Sequence, residues 1–243
     1  MDNLTQTWVY LSASPLLHLT LTLLAFQGAQ WVFERYGRRP ILNPVLLSVI
    51  VLTLILTLTQ TSYETYFEGA QFVHFLLGPA TVSLALPLYR KWQRVKASVL
   101  AIVASLITGS VAAILSAILV AKFLGATPDI LATLAPKSAT APVAMAVSKE
   151  LGGVPSLTAV VVIVTGIFGA MFGPLAMDLT GIRDWSARGL AIGTASHGIG
   201  TARALQVHET AGAFAALAMG LNALATALLV PLLWGLLSGW LGG

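Results

Sequence analysis

A run of polar and small residues, GTASHGIGTARAL at residues 193–205, lies inside an otherwise strongly apolar chain. It places the imidazole of His197 and the guanidinium of Arg203 among hydroxyl side chains and three glycines. Glycine costs a helix about 1 kcal/mol relative to alanine, so the run favours a break in a helix. The amides at the start of the resumed helix then lack partners and carry the positive end of its dipole. This arrangement predicts binding of a small carboxylate.

The predicted substrate-binding residues of this run carry a donor group or give the backbone freedom: Thr194, Ser196, His197, Gly198, Thr201 and Arg203. We expect the helix to break at Gly198 and Gly200. Arg203 supplies the forked, charge-assisted contact that suits a carboxylate. A histidine side chain ordinarily titrates near neutral pH, so His197 is expected to donate to the anion or carry a coupled proton.

A second broken segment is predicted at LAPKSATAPVAMAVSKELGG, residues 134–153. Pro142 fits the first turn of a short helix, and a pair of glycines ends that helix. Eleven residues make about 16 Å, or half the thickness of a bilayer, so the segment is expected either to be re-entrant or to form part of a broken span. Its N-terminus offers a further positive end beside Lys137, Ser138 and Thr140, which complete the predicted substrate site.

Structural roles remain open for the same residues. His197 would also satisfy a neighbouring carbonyl within a packed bundle, and Arg203 would also extend to a lipid head group. Serine and threonine hydroxyls often bond back to their own helix. The coincidence of all these residue types in two broken segments favours a binding site over packing alone.

The elements that must position these residues are membrane-spanning helices. Of the 243 residues, 57% are hydrophobic and 9% are charged, and the mean hydropathy is +0.86, which a domain exposed to water does not show. Several charge-free intervals exceed the roughly 20 residues that cross a bilayer, and no period-two alternation indicates strands. We therefore predict an all-α, polytopic membrane helical bundle of about seven or eight helical elements, with broken or re-entrant helices, in a single domain over residues 1–243.

The third predicted span carries a break of its own. Gly78 and Pro79 in LLGPATVSLALP, together with Pro87, are expected to disturb it. GPAT resembles GTAS of the first run, and NPVLL resembles APVAM of the second segment. These two internal similarities predict an inverted repeat with halves over about 8–96 and 97–240. Transporters built from such repeats place interrupted helices at corresponding positions in each half.

Lysine and arginine are concentrated in two short loops, at residues 35–39 and 90–96. The positive-inside rule places both loops in the cytoplasm and the N-terminus outside. Because each cluster adjoins apolar helix ends, its partner is the anionic surface of the lipid bilayer and not nucleic acid. The histidines are dispersed and no catalytic motif is present, so no enzyme activity, catalytic residue, metal or cofactor is expected.

Longer motifs carry a family resemblance. LAPKSATAPVAM, SKELGGVPSLTAVVVIVTGIFGAMFGP, ARGLAIGTASHGIGTARAL and AGAFAALAMGLNALATALL resemble the LrgB/CidB family of bacterial membrane proteins, whose plant relative is the chloroplast glycolate/glycerate translocator. The resemblance extends over nearly all of the chain from about residue 15. Where the family commonly has KSVTTPIA, this chain has Ala139 and Ala141, which removes one hydroxyl from the segment.

The resemblance implies transport of small monocarboxylates of the glycolate, glycerate or pyruvate type, by proton-coupled alternating access, in the bacterial inner (cytoplasmic) membrane. The alternative that it implies is an antiholin or holin-like protein that regulates murein hydrolase activity and autolysis with a separate small LrgA/CidA-type membrane protein. A homodimer is expected from the glycine and alanine faces of the helices. Saturable uptake by the purified protein would favour transport, and leakage of unrelated solutes would favour a pore.

Overall fold

The computed structural model describes residues 14–241, and this range holds helices and their connections without a β-strand. The chain divides into two compact units, unit 1 (Met1–Ser83) and unit 2 (Leu84–Gly243). Residues 1–13 and 242–243 fall outside the described range, so the predicted orientation of the N-terminus stays a prediction. The single domain and its repeat halves likewise stay predictions.

Within its described part, unit 1 contains four α-helices and a 3₁₀ turn: α1 (Pro15–Arg35), the turn Pro40–Leu42, α2 (Pro44–Leu58), α3 (Tyr63–Phe75) and α4 (Leu77–Ser83). The first helix packs against both α2 and α3. Gly69 permits the close approach of α1 and α3, because a Cβ at this position would lie 2.8 Å from the Cβ of His18. Asn43 caps α2, since its side-chain oxygen accepts from the amide of Val45 at 2.9 Å.

The described part of unit 2 contains eight α-helices: α5 (Ala85–Arg90), α6 (Trp92–Ala97), α7 (Val99–Phe123), α8 (Pro128–Leu134), α9 (Ala141–Glu150), α10 (Pro155–Leu179), α11 (Trp185–Val207) and α12 (Glu209–Leu241). The last helix packs along α11 and also contacts α5, α7 and α9. The tenth helix packs against α11 and α9. A core cluster that includes Ile118, Leu131 and Val230, each fully buried, joins α7, α8 and α12.

Five helical stretches of the described range are long and apolar enough to cross a membrane: Pro15–Arg35, Tyr63–Arg90, Val99–Phe123, Pro155–Leu179 and Glu209–Leu237. The second helix is apolar but shorter, with 15 residues. Neither α9 nor the polar α11 is among the five stretches. These helices confirm the predicted all-α membrane bundle with broken helices.

The interruptions around residue 80 lie before the prolines that cause them. Single turn residues, Leu76 and Leu84, interrupt the regular helix while keeping right-handed helical φ and ψ angles. Pro79 and Pro87 are each the third residue of the helix that follows. A proline ring clashes with the carbonyl four residues earlier and removes one backbone donor. The break predicted at Gly78 and Pro79 is therefore displaced to Leu76, and the prolines also divide the predicted third span into shorter pieces.

Helices α11 and α12 are joined by the single residue His208 and pack closely against each other. The half of α11 before His197 runs parallel to α12, because Gly189 lies against Ala211 and Gly193 lies against Ala215. A Cβ at Gly189 would overlap the backbone carbonyl of Ala211, and a Cβ at Gly193 would overlap that of Ala215. Small residues four apart on both helices thus let the two backbones touch. This contact fixes the position of α11, which carries most of the predicted site.

Asp184 stabilises the start of α11. Its carboxylate accepts from the amides of Ser186 at 2.9 Å and Ala187 at 3.0 Å and also from Arg94 at 2.7 Å. The backbone hydrogen bond from Ala187, with smaller contributions from Ser186 and Arg94, lowers the pKa of the Asp184 carboxyl. A depressed folded-state pKa adds stability that is present above the unfolded pKa of about 4 and is lost as pH falls through the folded pKa.

We expect Asp184→Ala to lower the free energy of unfolding by about 1 kcal/mol at neutral pH, the typical cost of losing an N-cap. Asp184→Asn keeps an oxygen that can cap the helix but does not titrate, so it serves as the control. Denaturation midpoints measured in detergent between neutral and acid pH should fall less steeply for both variants than for the parent protein. An alanine variant with the parent's stability and pH profile would contradict the capping role.

Candidate functional site

The break in α11 lies at His197, one residue before the predicted Gly198. His197 has φ +40° and ψ −135°, while the residues on either side continue as helix. A residue with a side chain held in this region stores about 1–3 kcal/mol of strain. The site compensates with burial, since His197 is 5% exposed, and with a hydrogen bond of 2.8 Å between His197 Nε2 and the carbonyl oxygen of Val162.

Gly166 of α10 makes the room that this imidazole needs. A Cβ at residue 166 would lie 2.5 Å from Cε1 of His197. One turn further along α10, a Cβ at Gly169 would overlap the Ser196 hydroxyl. One turn beyond that, a Cβ at Gly173 would lie 2.5 Å from Ile192 Cδ1. Gly169 and Gly173, four residues apart on α10, therefore form a close contact with α11. The side chains of α11 before and at the break pack against these glycines.

The two predicted break glycines differ in role. A Cβ at Gly200 would lie 2.6 Å from the Cβ of Ser196 and 3.1 Å from the carbonyl oxygen of Ile192. The two halves of α11 approach each other at this point, and only glycine leaves space. At Gly198 the surroundings are looser, because a Cβ there would lie 3.8 Å from the sulfur of Met219, an ordinary contact distance. Gly200 thus permits the break that His197 makes.

The hydrogen bond to Val162 fixes the tautomer of neutral His197. A carbonyl oxygen only accepts, so Nε2 carries the hydrogen. The proton-free nitrogen of the neutral ring is then Nδ1. This bond matches the structural role that the sequence analysis left open for His197. The proton-carrying role of His197 stays a prediction, and Nδ1 is the atom that would take up the proton.

A cavity of about 560 Å³, open towards the surface of the unit, lies between α7, the turn before α9, α10 and α11. Its polar lining residues are Ser116, Lys137, Ser138, Thr165 and Ser196. The two segments predicted from the sequence therefore meet in one space. The remaining walls are apolar or small: Ala113, Val164, Phe168, Gly169 and Ala195.

The cavity has a positive electrostatic character. Lys137 is its charged lining residue, and the four ion pairs found within residues 14–241 all involve other cations. Next to it, α9 begins after Thr140, whose side chain makes no capping hydrogen bond, with Pro142 in the first turn. The first amides of α9 are left without a side-chain acceptor, so the positive helix end is not neutralised locally.

Ser196 adds a hydroxyl without a partner. The residue is fully buried, and its Oγ has no hydrogen bond within the described range. A buried hydroxyl without a partner costs free energy that a bound acceptor or water recovers. This hydroxyl and Lys137 are the groups best placed to meet an anion in the cavity.

A second cavity of about 370 Å³ shares Ser116 and Lys137 with the first. Its other walls are apolar side chains from the C-terminal half of α7 and from α8: Ala117, Val120, Ala121, Leu124 and Leu134. Lys137 therefore stands at the wall common to both cavities. Any solute that passed from one cavity to the other would pass this ammonium group.

Other predicted site residues lie outside the lining of these cavities. The hydroxyls of Thr194 and Thr201 donate to the carbonyl oxygens of Leu190 and His197, each four residues earlier. Their single hydroxyl hydrogens are thus engaged by their own helix. Arg203 is half-buried on the second half of α11. Substrate contact by these residues, and by Thr140, His197 and Gly198, stays a prediction.

Sequence reasoning missed Asn222, a buried residue of α12. Its Nδ2 donates to the carbonyl oxygens of Ser138 and Thr194, both at 3.0 Å, and its Oδ1 accepts from the hydroxyl of Ser110 at 2.6 Å. The sequence signal for Asn222 is a single amide side chain within a long apolar helix. A polar residue inside a membrane span is by default expected to make a functional or structural contact.

The fold and this site define a class, a helical membrane protein with a cationic cavity between two interrupted segments. Residues 22–236 match the family described as LrgB-like. The chain is 35% identical over 221 residues to an uncharacterized protein of Haemophilus influenzae, covering 91% of this chain and 95% of that protein. It is 36% identical over 218 residues to the uncharacterized protein YwbG of Bacillus subtilis, covering 90% and 96%.

A further relative is the holin-like protein CidB of Staphylococcus aureus, which is 34% identical over 218 residues, covering 90% of this chain and 95% of CidB. Among solved structures, none matches the chain. The protein belongs to the LrgB-like family, as the sequence motifs predict.

Proposed function

We propose that the chain acts as a holin-like membrane protein that regulates murein hydrolase activity and autolysis. The observation that carries this proposal is the similarity to CidB, which is named holin-like, along nearly the full length of both proteins. Five stretches apolar enough to cross a membrane fit such a role. A bacterial strain that lacks its own LrgB-type protein provides the test, because expression of this chain should change its rate of autolysis and the hydrolase activity released from its cell wall.

A second candidate function is selective passage of small monocarboxylates, which the chemistry of the cavity favours. A lone ammonium group, an uncapped helix N-terminus and an unpartnered hydroxyl all favour bound negative charge. Interrupted helices around a fixed polar site are also typical of transporters. A pore that only forms a lesion has no need of such a site.

Uptake by the full-length protein in liposomes separates the two candidates. Saturable entry of labelled glycolate, glycerate or pyruvate, without release of an enclosed neutral dye, is expected if the cavity selects carboxylates. Release of the dye together with all small solutes is expected of a holin-like pore. Entry that rises linearly with concentration and equals that of empty liposomes would reject selective passage, and absence of any change in autolysis would reject the holin-like proposal.

The proposal also covers the membrane in which the protein lies, its orientation and its binding partners. We propose the bacterial inner membrane, with the N-terminus outside, a homodimer, and a small LrgA/CidA-type protein as the partner. The basic residues at 35–39 and 90–96 favour the cytoplasmic side for both of these loops. Cysteines introduced into these loops of a chain that has none should react with an impermeant thiol reagent only from the cytoplasmic side.

A further inference from the structure

Asn222 contacts three other segments of unit 2 through one side chain. It is 1% exposed, and its amide nitrogen donates to Ser138 in the turn before α9 and to Thr194 in α11. The third contact is the hydrogen bond that its amide oxygen accepts from Ser110 of α7. One nitrogen atom therefore holds the backbones of both interrupted segments.

The two carbonyls need such a donor because of where they lie. Ser138 is in a non-helical turn, and Thr194 is in the last turn before the break at His197, where helix carbonyls lose their regular partners. Buried backbone acceptors are nearly always paired. Among uncharged side chains, only asparagine and glutamine offer two hydrogens on one nitrogen.

The same two segments both line the larger cavity. Ser138 lines it from the turn before α9, and Ser196 lines it from α11, two residues after Thr194. We infer that Asn222 is the positioning residue that fixes the two interrupted segments to each other and so sets the spacing of Ser138 and Ser196 in the lining of the cavity. This inference concerns the geometry of the cavity and holds for either proposed function.

Thiol labelling of the full-length protein in liposomes tests the inference, because the chain has no cysteine of its own. Ser196→Cys places a fully buried thiol at the break, and Val230→Cys places one in a distant core, where Val230 is also fully buried. Asn222→Leu keeps the approximate shape and removes both donors. We expect it to raise the labelling rate at residue 196 by at least about ten-fold, while the rate at residue 230 changes by less than about two-fold.

Two further variants distinguish the loss of the two amide hydrogen bonds of Asn222 from a general loosening of the packing. Ser110→Ala removes only the contact to the amide oxygen and should leave labelling at residue 196 near the parent rate. Asn222→Asp keeps the shape and the acceptor for Ser110 but loses the amide hydrogens, so it should accelerate labelling and remains informative if the leucine variant does not fold. The inference is overturned if labelling at residue 196 is unchanged in both Asn222 variants, if residues 196 and 230 respond equally, or if Ser110→Ala has the same effect.

Discussion

Gly193→Val is expected to destabilise the protein by about 3 kcal/mol or more, at or beyond the upper end of the usual range for overpacking. Any Cβ at this position would overlap the backbone carbonyl of Ala215, and a backbone cannot move aside as a flexible side chain does. The half of α11 before His197 would have to move away from α12. The folded yield after size-exclusion chromatography and the denaturation midpoint in detergent measure the effect.

Gly220→Val is the matched control for this change. Gly220 lies in α12, the other helix of this pair, and a Cβ there would meet nothing within 4 Å. The control should therefore retain the parent's yield and midpoint. Equal stability of the two variants would show that the close contact between α11 and α12 does not exist as described.

Lys137→Met is expected to reduce saturable carboxylate uptake by at least about ten-fold, which corresponds to a loss of about 1.4 kcal/mol in binding or transition-state free energy. Methionine has a similar length but lacks the positive charge that two cavities share. Interactions of a fixed charge with an anion are strong where water is scarce. Initial uptake rates over a range of substrate concentrations measure the effect and separate affinity from maximal rate.

Lys149→Met is the control for the loss of a positive charge. Lys149 is exposed in the last turn of α9, at the opposite end of the helix that Lys137 precedes. Its variant should take up carboxylate at the parent rate. If both variants retain full uptake, the cavity next to Lys137 is not the path of the anion; if both lose uptake, the net charge of the surface is responsible.

The sequence predicts those features that short-range rules determine. Pro142 with the glycines after α9 marks a helix too short to cross a bilayer, and the structure has that helix at Ala141–Glu150. The spacing of Gly169 and Gly173 predicts a helix contact, which α11 occupies. In each case the signal lies within one or two helical turns, where steric and hydrogen-bonding preferences of individual residues decide the outcome.

The exact residue of the break depends on contacts that a single sequence does not reveal. Glycine is the usual residue at positive φ, so Gly198 and Gly200 are the natural prediction. His197 takes the strained position because a carbonyl of α10, 35 residues away, receives its Nε2 hydrogen, and because Gly166 leaves room for its ring. Long-range compensation of this kind overrides local propensity.

Asn222 is hidden from sequence reasoning for the same reason. Its three partners lie 28, 84 and 112 residues away, and nothing in the surrounding apolar residues indicates which carbonyls it meets. The hydroxyls of Thr194 and Thr201 illustrate the opposite case. Either a distant anion or a nearby carbonyl would satisfy them, and the structure assigns them the nearby one.

The pairing of α11 with α12 also has a consequence for biogenesis. Helix α11 is not among the stretches apolar enough to cross a membrane by themselves, whereas α12 contains one of the five. Since His208 is the entire connection between them, we expect α11 to enter the bilayer only together with α12. A nascent chain that ends before residue 209 should therefore leave α11 outside the lipid and open to protease, even though every residue of that helix has been synthesised.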